Sequence, residues 1–524
     1  MSQPTQSQNS AGDSGAVRPA PKARPLTELS DIADVRSGAA AVSVTGVTLD
    51  SRRVTPGDLY CALPGANVHG AQFARQAVEA GCAAILTDPA GAELVRAQVG
   101  NFPLVLADDP RAILGWVSAW VYGDPSRHLK VVGITGTDGK TTTAMLAEAG
   151  LRAAGLSTGL VGTVATRIGN EELPSVRTTP EAPDLQALLA VMVERGVDAV
   201  VMEVSSHAIA LGRVSGIDFD LAIFTNLGHD HLDFHGTQEE YFRVKAELFT
   251  PDFARAGVVC LDDDFGVRLA ELATIPVETY SVPPDSSTHR PADWTVRDLT
   301  IDVVGWRFTV VSPVGQAAGA CQLPGVFNVR NALAAIAAVT HVGGDLAAAC
   351  EGVAGCGAVP GRMQPVGSEL GRAVLVDYAH TPDAVARAIE VGRDLANHRG
   401  GRVLVVLGCG GDRDSAKRPI MGSTAARLAD VVVITDDNPR SEDPALIRRE
   451  MMVGVGQVPV NVRADVTEIP GREAALREVI RLAQPQDVVL ALGKGHETTQ
   501  EASGVLTALD DRAVLASALL ETTE

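Results

Sequence analysis

The sequence is short of basic charge and of long apolar runs. Its 524 residues include 44 lysines and arginines against 64 aspartates and glutamates, which gives a formal net charge of −20. Nucleic-acid binding needs a concentrated basic surface, so this balance argues against a nucleic-acid partner without excluding a local basic patch. No uncharged apolar stretch of about 18 residues occurs, which argues against a membrane span.

The seven cysteines are scattered, odd in number and free of any CxxC pair. This pattern argues against a disulfide framework and against a zinc site, and favours reduced thiols in the cytoplasm, where we expect the chain to act. Residues 1–24 are rich in Ser, Gln, Pro and Gly and lack the apolar region of a signal peptide. We therefore expect a disordered tail there.

Short, uniformly apolar runs alternate with Ala-rich helical stretches along the rest of the chain. Runs such as 129–135 and 402–408 are typical of parallel strands buried on both faces, and stretches such as 142–154 supply crossover helices. The predicted class is α/β with doubly wound sheets. A polar segment at 122–128 and a Gly-rich segment at 351–364 suggest domain boundaries.

The segment VVGITGTDGKTTT, residues 131–143, combines a strand, a Gly-rich turn and a helix start. Glycines allow backbone amides to converge on anionic oxygens, Lys140 adds a cation, and Thr141 offers a hydroxyl to Mg²⁺. The spacing departs from GxxxxGK[ST], because Ile134 stands at the first required glycine. An ordinary Gly-rich turn is the alternative, but the combined pattern predicts a nucleoside triphosphate site.

The GTxGKTT variant resembles the Mur ligase family, ATP-dependent enzymes that form amide bonds in bacterial cell-wall synthesis, and their folylpolyglutamate synthetase relatives. The resemblance runs from about residue 25 to the end. It implies a UDP-sugar-binding domain at 25–127, an ATP-binding domain at 128–358 and a Rossmann-like amino-acid-binding domain at 359–524. The alternating stretch 280–325 predicts a small β insertion in the middle domain. The implied nucleotide contacts in the loop are Gly136, Thr137, Asp138, Gly139, Lys140, Thr141 and Thr142.

Two further segments suggest metal chemistry. Glu203 ends an apolar strand, a place suited to a Mg²⁺ ligand. TNLGHDHLDFHG, residues 225–236, read alone is a solvated polar loop or an incomplete zinc site. The resemblance implies that Thr141, Glu203 and His229 bind two Mg²⁺ ions and that CO₂ carbamylates Lys245, giving another anionic oxygen ligand. A lone lysine on an amphipathic helix usually faces solvent, and carbamylation needs a neutral amine, which a desolvated pocket favours.

The resemblance also places further ATP contacts on both sides of a domain boundary. Asn328 and Asn331 would lie near adenine, although Asn328 alone is also a good helix N-cap. Arg362 would face phosphate, and Asp377 the ribose or a Mg²⁺-bound water. ATP is then expected to lie between two domains whose closure completes the site.

The implied substrate contacts fall in all three domains. UDP would meet Leu49, Ser51, Ala66, Asn67 and Val68. The sugar-peptide would meet Thr178, Thr179, Ser205 and Arg213, although Leu211 stands where the family often has glutamine. The amino acid would meet Arg413, Asp437, Asn438, Pro439, Arg440, Gly493 and Glu497.

The DNPR tetrapeptide at 437–440 resembles family members that add meso-2,6-diaminopimelate rather than lysine. Diaminopimelate carries a second α-carboxylate, which an arginine fork such as that of Arg440 or Arg413 binds bidentately. A plain Pro-bearing turn is the alternative reading.

The implied reaction adds this amino acid to the D-Glu γ-carboxylate of UDP-MurNAc-L-Ala-D-Glu through an acyl phosphate. The base that deprotonates the amine, His207 or another group, stays open. Rival readings are a lysine-adding ligase, folylpolyglutamate synthetase, and a P-loop switch or motor ATPase. Small-molecule substrates are the expected partners, and the sequence does not identify any protein partner.

Overall fold

The computed structural model describes residues 17–36, 38–65, 67–175, 177–228, 230–282, 290–301, 305–367 and 370–522. These residues fold into three α/β domains in chain order, as predicted. Among the described residues, no helix combines the length and the apolar character that crossing a membrane would require.

The amino-terminal domain is built on a mostly parallel sheet. Its elements are β1 (Arg24–Pro25), β2 (Asp34–Val35), β3 (Ser43–Val44), β4 (Gly46–Thr48), β5 (Asp58–Cys61), α1 (Ala74–Glu79), β6 (Ala84–Thr87), α2 (Pro89–Val99), β7 (Leu104–Leu106) and α3 (Pro110–Val121). The sheet has the order β2-β7-β6-β5-β4, with β2 antiparallel at one edge, and β1 pairs separately with β3.

Residues 17–24, which the composition assigns to a disordered tail, instead make specific contacts. Arg18 Nη1 lies 2.7 Å from Asp58 Oδ1 in the amino-terminal domain. The Ala20 amide donates to Glu194 Oε1 in the central domain at 2.9 Å. This segment therefore touches two domains.

The central domain contains a large, mainly parallel sheet and a small antiparallel one. Its elements are β8 (Lys130–Thr135), α4 (Lys140–Ala153), β9 (Thr158–Val161), β10 (Thr166–Ile168), β11 (Glu171–Leu173), α5 (Ala182–Glu194), β12 (Ala199–Glu203), α6 (Ser206–Ala210), β13 (Leu221–Phe224), α7 (Leu232–His235), α8 (Gln238–Ala246), β14 (Gly257–Cys260), α9 (Asp264–Leu272), β15 (Val277–Tyr280), β16 (Thr295–Ile301), β17 (Trp306–Ser312), β18 (Gly315–Cys321), α10 (Val326–His341) and α11 (Leu346–Gly355). The large sheet runs β11-β10-β9-β12-β8-β13-β14-β15, and β16, β17 and β18 form the predicted β insertion.

The carboxy-terminal domain repeats the doubly wound plan. Its elements are β19 (Gln364–Val366), β20 (Ala373–Asp377), α12 (Pro382–Arg399), β21 (Val403–Leu407), α13 (Lys417–Leu428), β22 (Val431–Ile434), α14 (Pro444–Gly456), β23 (Asp465–Glu468), α15 (Arg472–Leu482), β24 (Val488–Leu492), β25 (Thr499–Ala502), β26 (Val505–Ala508) and α16 (Asp511–Glu521). The sheet has the order β19-β20-β24-β21-β22-β23, and β25 and β26 form a hairpin.

The apolar runs become central strands because alternate residues enter cores on opposite faces. In β8, Val132 and Ile134 join one core, whereas Val131 joins the other. Side chains of a strand alternate between faces, so a strand covered by helices on both sides must be apolar at every position. The neighbouring strands β12, β8 and β13 end side by side, which brings the segments that follow them to one edge of the sheet.

Candidate active site

The turn between β8 and α4 is shaped to hold an anion. Gly136 and Gly139 have φ angles of 147° and 86°, which L residues rarely adopt. A Cβ on Gly136 would lie 1.9 Å from Thr225 Oγ1, and one on Gly139 would lie 2.5 Å from Asn331 Oδ1. Both positions therefore require glycine. The first amides of α4 have no partners within the helix and are suited to phosphate oxygens.

The loop after β13 braces this turn. The Asp138 amide donates to Asn226 Oδ1 at 3.0 Å, and Asn226 Nδ2 donates to the Asp138 carbonyl at 3.1 Å. The Gly228 amide donates to Thr137 Oγ1 at 2.8 Å, and that oxygen lies 3.2 Å from the Tyr241 hydroxyl. The motif-based prediction gave this segment only a metal-binding role, whereas the structure shows that it also fixes the phosphate loop.

Two lysines converge on one carbonyl oxygen of the loop. Lys140 Nζ donates to the Gly136 carbonyl at 2.8 Å, and Lys245 Nζ donates to the same oxygen at 2.9 Å. Lys245 is 1% exposed, and its Nζ lies 4.6 Å from the ring centroid of Tyr241. Burial, reinforced by the charge of Lys140, lowers the pKa of Lys245 well below its ordinary value. The surroundings of Lys245 thus favour a neutral amine.

Glu203 brings a buried carboxylate beside the loop at the end of β12. Thr141 Oγ1 donates to its Oε2 at 3.0 Å, and the Thr163 amide donates to its Oε1 at 2.8 Å. In the described part of the chain, no group of three or more His, Cys, Asp or Glu residues is placed to hold a metal. The oxygens of Thr141 and Glu203 fit Mg²⁺, which commonly completes its shell with phosphate oxygens and water. His229, the predicted further ligand, lies outside the described residues.

Histidines and aromatic rings cluster at the same edge of the sheet. The His207 ring lies 4.7 Å from that of His231 and 4.2 Å from that of Phe234, between centroids. Desolvation of its ring lowers the pKa of His231 to about 4. His207 therefore lies in an aromatic cluster, and the identity of the base stays open.

The start of α10 contacts the phosphate loop. Gly325 occupies the N-cap position, so the alternative reading of Asn328 as the N-cap is wrong. Asn328 Nδ2 instead reaches back to the Pro324 carbonyl at 2.8 Å, and its Oδ1 accepts from Asn331 Nδ2 at 3.0 Å. Asn331 Oδ1 in turn accepts from Thr143 Oγ1 at 3.3 Å. The two asparagines therefore hold α10 against α4, and their contact with adenine stays a prediction.

The carboxy-terminal domain reaches the loop through two arginines. Arg362 Nη2 donates to Thr141 Oγ1 at 3.3 Å, and its guanidinium lies 5.0 Å from the ring centroid of Tyr378. Arg387, on α12, forms an ion pair with Asp138. Residues of the carboxy-terminal domain therefore contact the predicted phosphate loop and the helix that follows it.

Asp377 shapes the segment that carries Arg362. Its carboxylate accepts from the Met363 amide at 2.7 Å and from the Ala379 amide at 2.8 Å. Burial raises the pKa of Asp377. Its observed contacts are within its own domain, and a contact with ribose or a Mg²⁺-bound water stays a prediction.

The residues predicted to hold the sugar-peptide lie beside Glu203. Thr179 Oγ1 donates to the Glu203 carbonyl at 2.9 Å and accepts from the Ser205 amide at 3.2 Å. The Thr178 hydroxyl lies 2.9 Å from that of Thr163. The predicted sugar-peptide contacts and the phosphate loop therefore share one end of the sheet.

Arg213 adds a cation to this group. Its Nη2 lies 2.9 Å from Glu181 Oε1, and its Nη1 donates to the Thr179 carbonyl at 3.4 Å. Its buried Nε has no hydrogen-bond partner among the described residues. Leu211, the departure from the family pattern, is the C-cap of α6.

The predicted UDP contacts lie on loops of the amino-terminal domain. Ser51 is buried and bonded to a glutamine of α1, Leu49 is partly buried, and Asn67 and Val68 are exposed. Ala66 lies outside the described residues. The arrangement leaves this edge of the domain accessible.

The DNPR segment and the segment GKGHE, residues 493–497, meet beyond the ends of β22 and β24. Asn438 Nδ2 donates to Glu497 Oε2 at 2.7 Å. Gly493 has a φ of 111°, and a Cβ there would lie 2.5 Å from Asp437 Oδ2. Gly493 is therefore needed for the two segments to approach.

Arg440 has a strained backbone in the same cluster. Its φ is 53°, and its amide donates to the Glu501 carbonyl at 2.9 Å. Its Nη1 donates to the Gly411 carbonyl at 2.7 Å, whereas Arg413 is exposed and Pro439 is buried. Both predicted arginines thus lie at one corner of the domain, and Arg440 is the more firmly held.

Three models of known protein families match this chain. A model described as the Mur ligase middle domain matches residues 134–339, and one described as the Mur ligase glutamate ligase domain matches residues 361–495. The Mur ligase family catalytic domain matches residues 43–117. The chain belongs to the Mur ligase family.

Similar proteins cover nearly the whole of this Mur ligase. It is 50% identical over 501 residues to the UDP-N-acetylmuramoyl-L-alanyl-D-glutamate--2,6-diaminopimelate ligase of Streptomyces coelicolor, covering 95% of this chain and 97% of that protein. It is 45% identical over 487 residues to the Corynebacterium glutamicum protein of the same name, covering 91% and 92%. A solved structure of a ligase of that name matches with a TM-score of 0.68 and 32% identity, covering 96% of this chain and 100% of that one. The predicted family and the three-domain α/β fold are confirmed.

Motif reasoning missed several residues of this Mur ligase site. Thr163 contacts Glu203, Asn226 locks the phosphate loop, and Arg387 pairs with Asp138. Thr163 and Arg387 lie outside every recognised motif and carry no local sequence signal. Asn226 lies inside the TNLG segment. Its side-chain amide can bond to the backbone of a neighbouring loop, and this could have indicated its bracing role.

Proposed function

We propose that this Mur ligase uses ATP to join meso-2,6-diaminopimelate to the D-Glu γ-carboxylate of UDP-N-acetylmuramoyl-L-alanyl-D-glutamate. The observation that carries the proposal is the junction of Asp437 and Asn438 with Gly493 and Glu497, in a domain whose Arg362 touches the phosphate-loop helix. The names of the similar ligases support the same substrate pair.

The proposed reaction has two steps. A γ-carboxylate oxygen attacks the γ-phosphorus of ATP, the bond to the β–γ bridging oxygen breaks, and ADP leaves. The amine nitrogen of diaminopimelate then attacks the acyl carbon, the carbon–oxygen bond breaks, and inorganic phosphate leaves. The amine loses a proton as the amide forms. Positioning and charge stabilisation drive both steps, since no protein nucleophile is needed.

The phosphoryl group would lie against Lys140 and the first amides of α4. These donors face developing negative charge in an enclosed site, where each is worth more than in water. Thr141 and Glu203 would hold Mg²⁺, which neutralises charge on the phosphate oxygens when bound. Arg362 would approach the same phosphates from the carboxy-terminal domain.

We further propose that Lys245 acts as a carbamate formed with CO₂. If Lys245 is an ammonium, it and Lys140 both donate to the Gly136 carbonyl. The two cations then repel each other and repel any nearby Mg²⁺. A carbamate reverses the sign of one partner and supplies an anionic oxygen ligand. The burial of the amine, which favours its neutral form, supports this assignment.

The amino-acid site would distinguish a dicarboxylic amine from lysine. Glu497 and Asn438 form one polar face, suited to the ammonium and carboxylate of the distal centre. Arg440, or Arg413 in the neighbouring loop, would pair with a carboxylate, for which a guanidinium fork has matching geometry. Lysine lacks the distal carboxylate and would leave this fork without a substrate carboxylate to bind.

The UDP-sugar-dipeptide would extend from the amino-terminal domain to Glu203. The UDP moiety would lie at the loops around Ser51 and Val68, and the peptide would pass Thr178, Thr179 and Ser205. The guanidinium of Arg213, next to Thr179, would bind an anionic group of the sugar-peptide. The free state of all seven cysteines fits work in the reducing cytoplasm, where we propose that the enzyme acts.

Turnover with diaminopimelate against lysine, with every other component fixed, tests the proposed substrate. We expect ADP and a tripeptide product with diaminopimelate and much slower turnover with lysine. Faster turnover with lysine would contradict the proposed amino acid, while leaving the ligase chemistry intact.

Replacing Arg440 with lysine should raise the KM for diaminopimelate by about tenfold or more. Lysine keeps the positive charge but cannot form the two parallel hydrogen bonds of a guanidinium, and losing a buried charged contact commonly costs a few kcal/mol. The KM for ATP should stay within about twofold, since Arg440 lies in the amino-acid site. An unchanged diaminopimelate KM in both R440K and R413A would show that neither arginine binds a carboxylate of diaminopimelate.

A further inference from the structure

A buried lysine lies beneath the proposed amino-acid site. Lys494 is 0% exposed, and its Nζ donates to Asn438 Oδ1 at 3.2 Å, to Glu497 Oε2 at 3.1 Å and to the Thr499 carbonyl at 2.6 Å. An ammonium has three N–H groups, and these contacts use all of them. Since all its donors are used inside the protein, Lys494 acts on a ligand through its neighbours.

Lys494 fixes the orientation of the Asn438 amide. Asn438 Oδ1 accepts from Lys494 and also from the Glu501 amide at 3.0 Å, so this oxygen must face the two donors. The amide nitrogen then points to Glu497 Oε2, 2.7 Å away. One hydrogen of Asn438 Nδ2 and the second carboxylate oxygen of Glu497 remain for a ligand.

Lys494 also balances the charge of Glu497. An unpaired carboxylate at this partly buried position would attract any ammonium, including the lone distal ammonium of lysine. With Lys494 bonded to it, the pair has no net charge and favours a ligand end that presents both an ammonium and a carboxylate. A zwitterionic amino-acid end has this character, because its cation meets Glu497 and its anion meets the Asn438 amide.

We infer that Lys494 is a positioning residue that sets the selectivity of the proposed site for an amino acid with a zwitterionic distal end. This role presupposes the proposed function and adds a determinant of amino-acid choice. The side chain works by holding the Glu497 carboxylate and the Asn438 amide in one arrangement.

The test compares Lys494→Met with the matched control Lys130→Met, whose side chain is exposed at the start of β8. Wild-type enzyme is first assayed with diaminopimelate and with lysine, and a wild type inactive with diaminopimelate would count against the proposed function itself. We expect K494M to raise the diaminopimelate KM about tenfold or more and to reduce the preference for diaminopimelate over lysine by a similar factor. The KM values for ATP and for the UDP-dipeptide should stay within about twofold, and K130M should match the wild type.

A second variant covers the case in which K494M does not fold. Lys494→Met combined with Glu497→Gln removes both members of the pair, so no unpaired buried charge remains. If Lys494 acts through Glu497, the double variant should have a diaminopimelate KM no higher than that of E497Q alone. An unchanged selectivity in K494M, a parallel rise of all three KM values, or additive effects in the double variant would overturn the inference.

Discussion

Replacing Lys140 with alanine is expected to lower the rate of ADP formation by at least about a thousand-fold. Lys140 is the first residue of α4, and its Nζ lies on the phosphate loop, 2.8 Å from the Gly136 carbonyl and 2.9 Å from that of Thr137. A triphosphate in the loop would offer this ammonium better acceptors than two neutral carbonyls. The loss falls on kcat because the charge stabilised on the transferred phosphoryl group is greatest in the transition state.

Binding of the UDP-dipeptide separates this effect from misfolding. The predicted UDP contacts lie in the amino-terminal domain, so calorimetric titration of K140A should give a dissociation constant within about threefold of the wild type. Lys130→Ala serves as the control, since it removes an exposed lysine from the start of β8. Rapid ADP formation by K140A would show that the phosphoryl group is not stabilised at this loop.

Replacing Lys245 with methionine is expected to reduce ligation by about a hundred-fold or more. Methionine preserves the unbranched stem of this buried side chain but cannot take up CO₂. The wild type should lose activity when CO₂ and bicarbonate are stripped and regain it on their return, whereas K245M should not respond. Arg243→Met, on the exposed face of the same helix, should behave like the wild type.

The pH dependence of this activation follows from the lowered pKa of Lys245. Carbamylation requires the neutral amine, and the neutral fraction falls as the pH drops through the pKa. Because burial lowers this pKa, CO₂ activation should persist to a pH well below that at which an ordinary lysine is fully protonated. Native mass spectrometry at ample bicarbonate should show one added CO₂ in the wild type and none in K245M. An unmodified wild type under those conditions would contradict the carbamate.

The parts of the site that follow strands could be predicted from the sequence. The strand at 130–135, the glycines after it and Lys140 are contiguous, so one segment carries both the fold signal and the chemical signal. Glu203 could be placed in the same way, because functional groups of open parallel sheets lie beyond the carboxyl ends of the strands. For these residues, their position in the sequence directly after a strand was enough for the prediction.

Contacts between distant segments could not be predicted. Arg387 and Asp138 pair across a domain boundary, and Lys494 meets Asn438 across 56 positions. Their partners are set by how domains and loops pack, and neither the helix α12 nor the GKGHE segment carries a local pattern that identifies them. Such contacts become visible only once the tertiary structure is known.

Two expectations failed for local reasons. Asn328 was a reasonable N-cap by residue type, but Gly325 occupies that position, and Asn328 uses its amide to reach the Pro324 carbonyl from inside the helix. Residues 17–24 have the composition of a disordered tail, yet Arg18 forms an ion pair with the buried carboxylate of Asp58. In both cases a specific hydrogen bond outweighed a compositional tendency.

The most direct measurement is the dependence of ADP formation on each substrate. Purified protein with ATP and Mg²⁺ should form ADP at a substantial rate only when both UDP-N-acetylmuramoyl-L-alanyl-D-glutamate and meso-diaminopimelate are present, with one tripeptide product for each ADP. Rapid ADP formation without either substrate, or without a lengthened peptide, would contradict the account and indicate an ATPase that drives some other process.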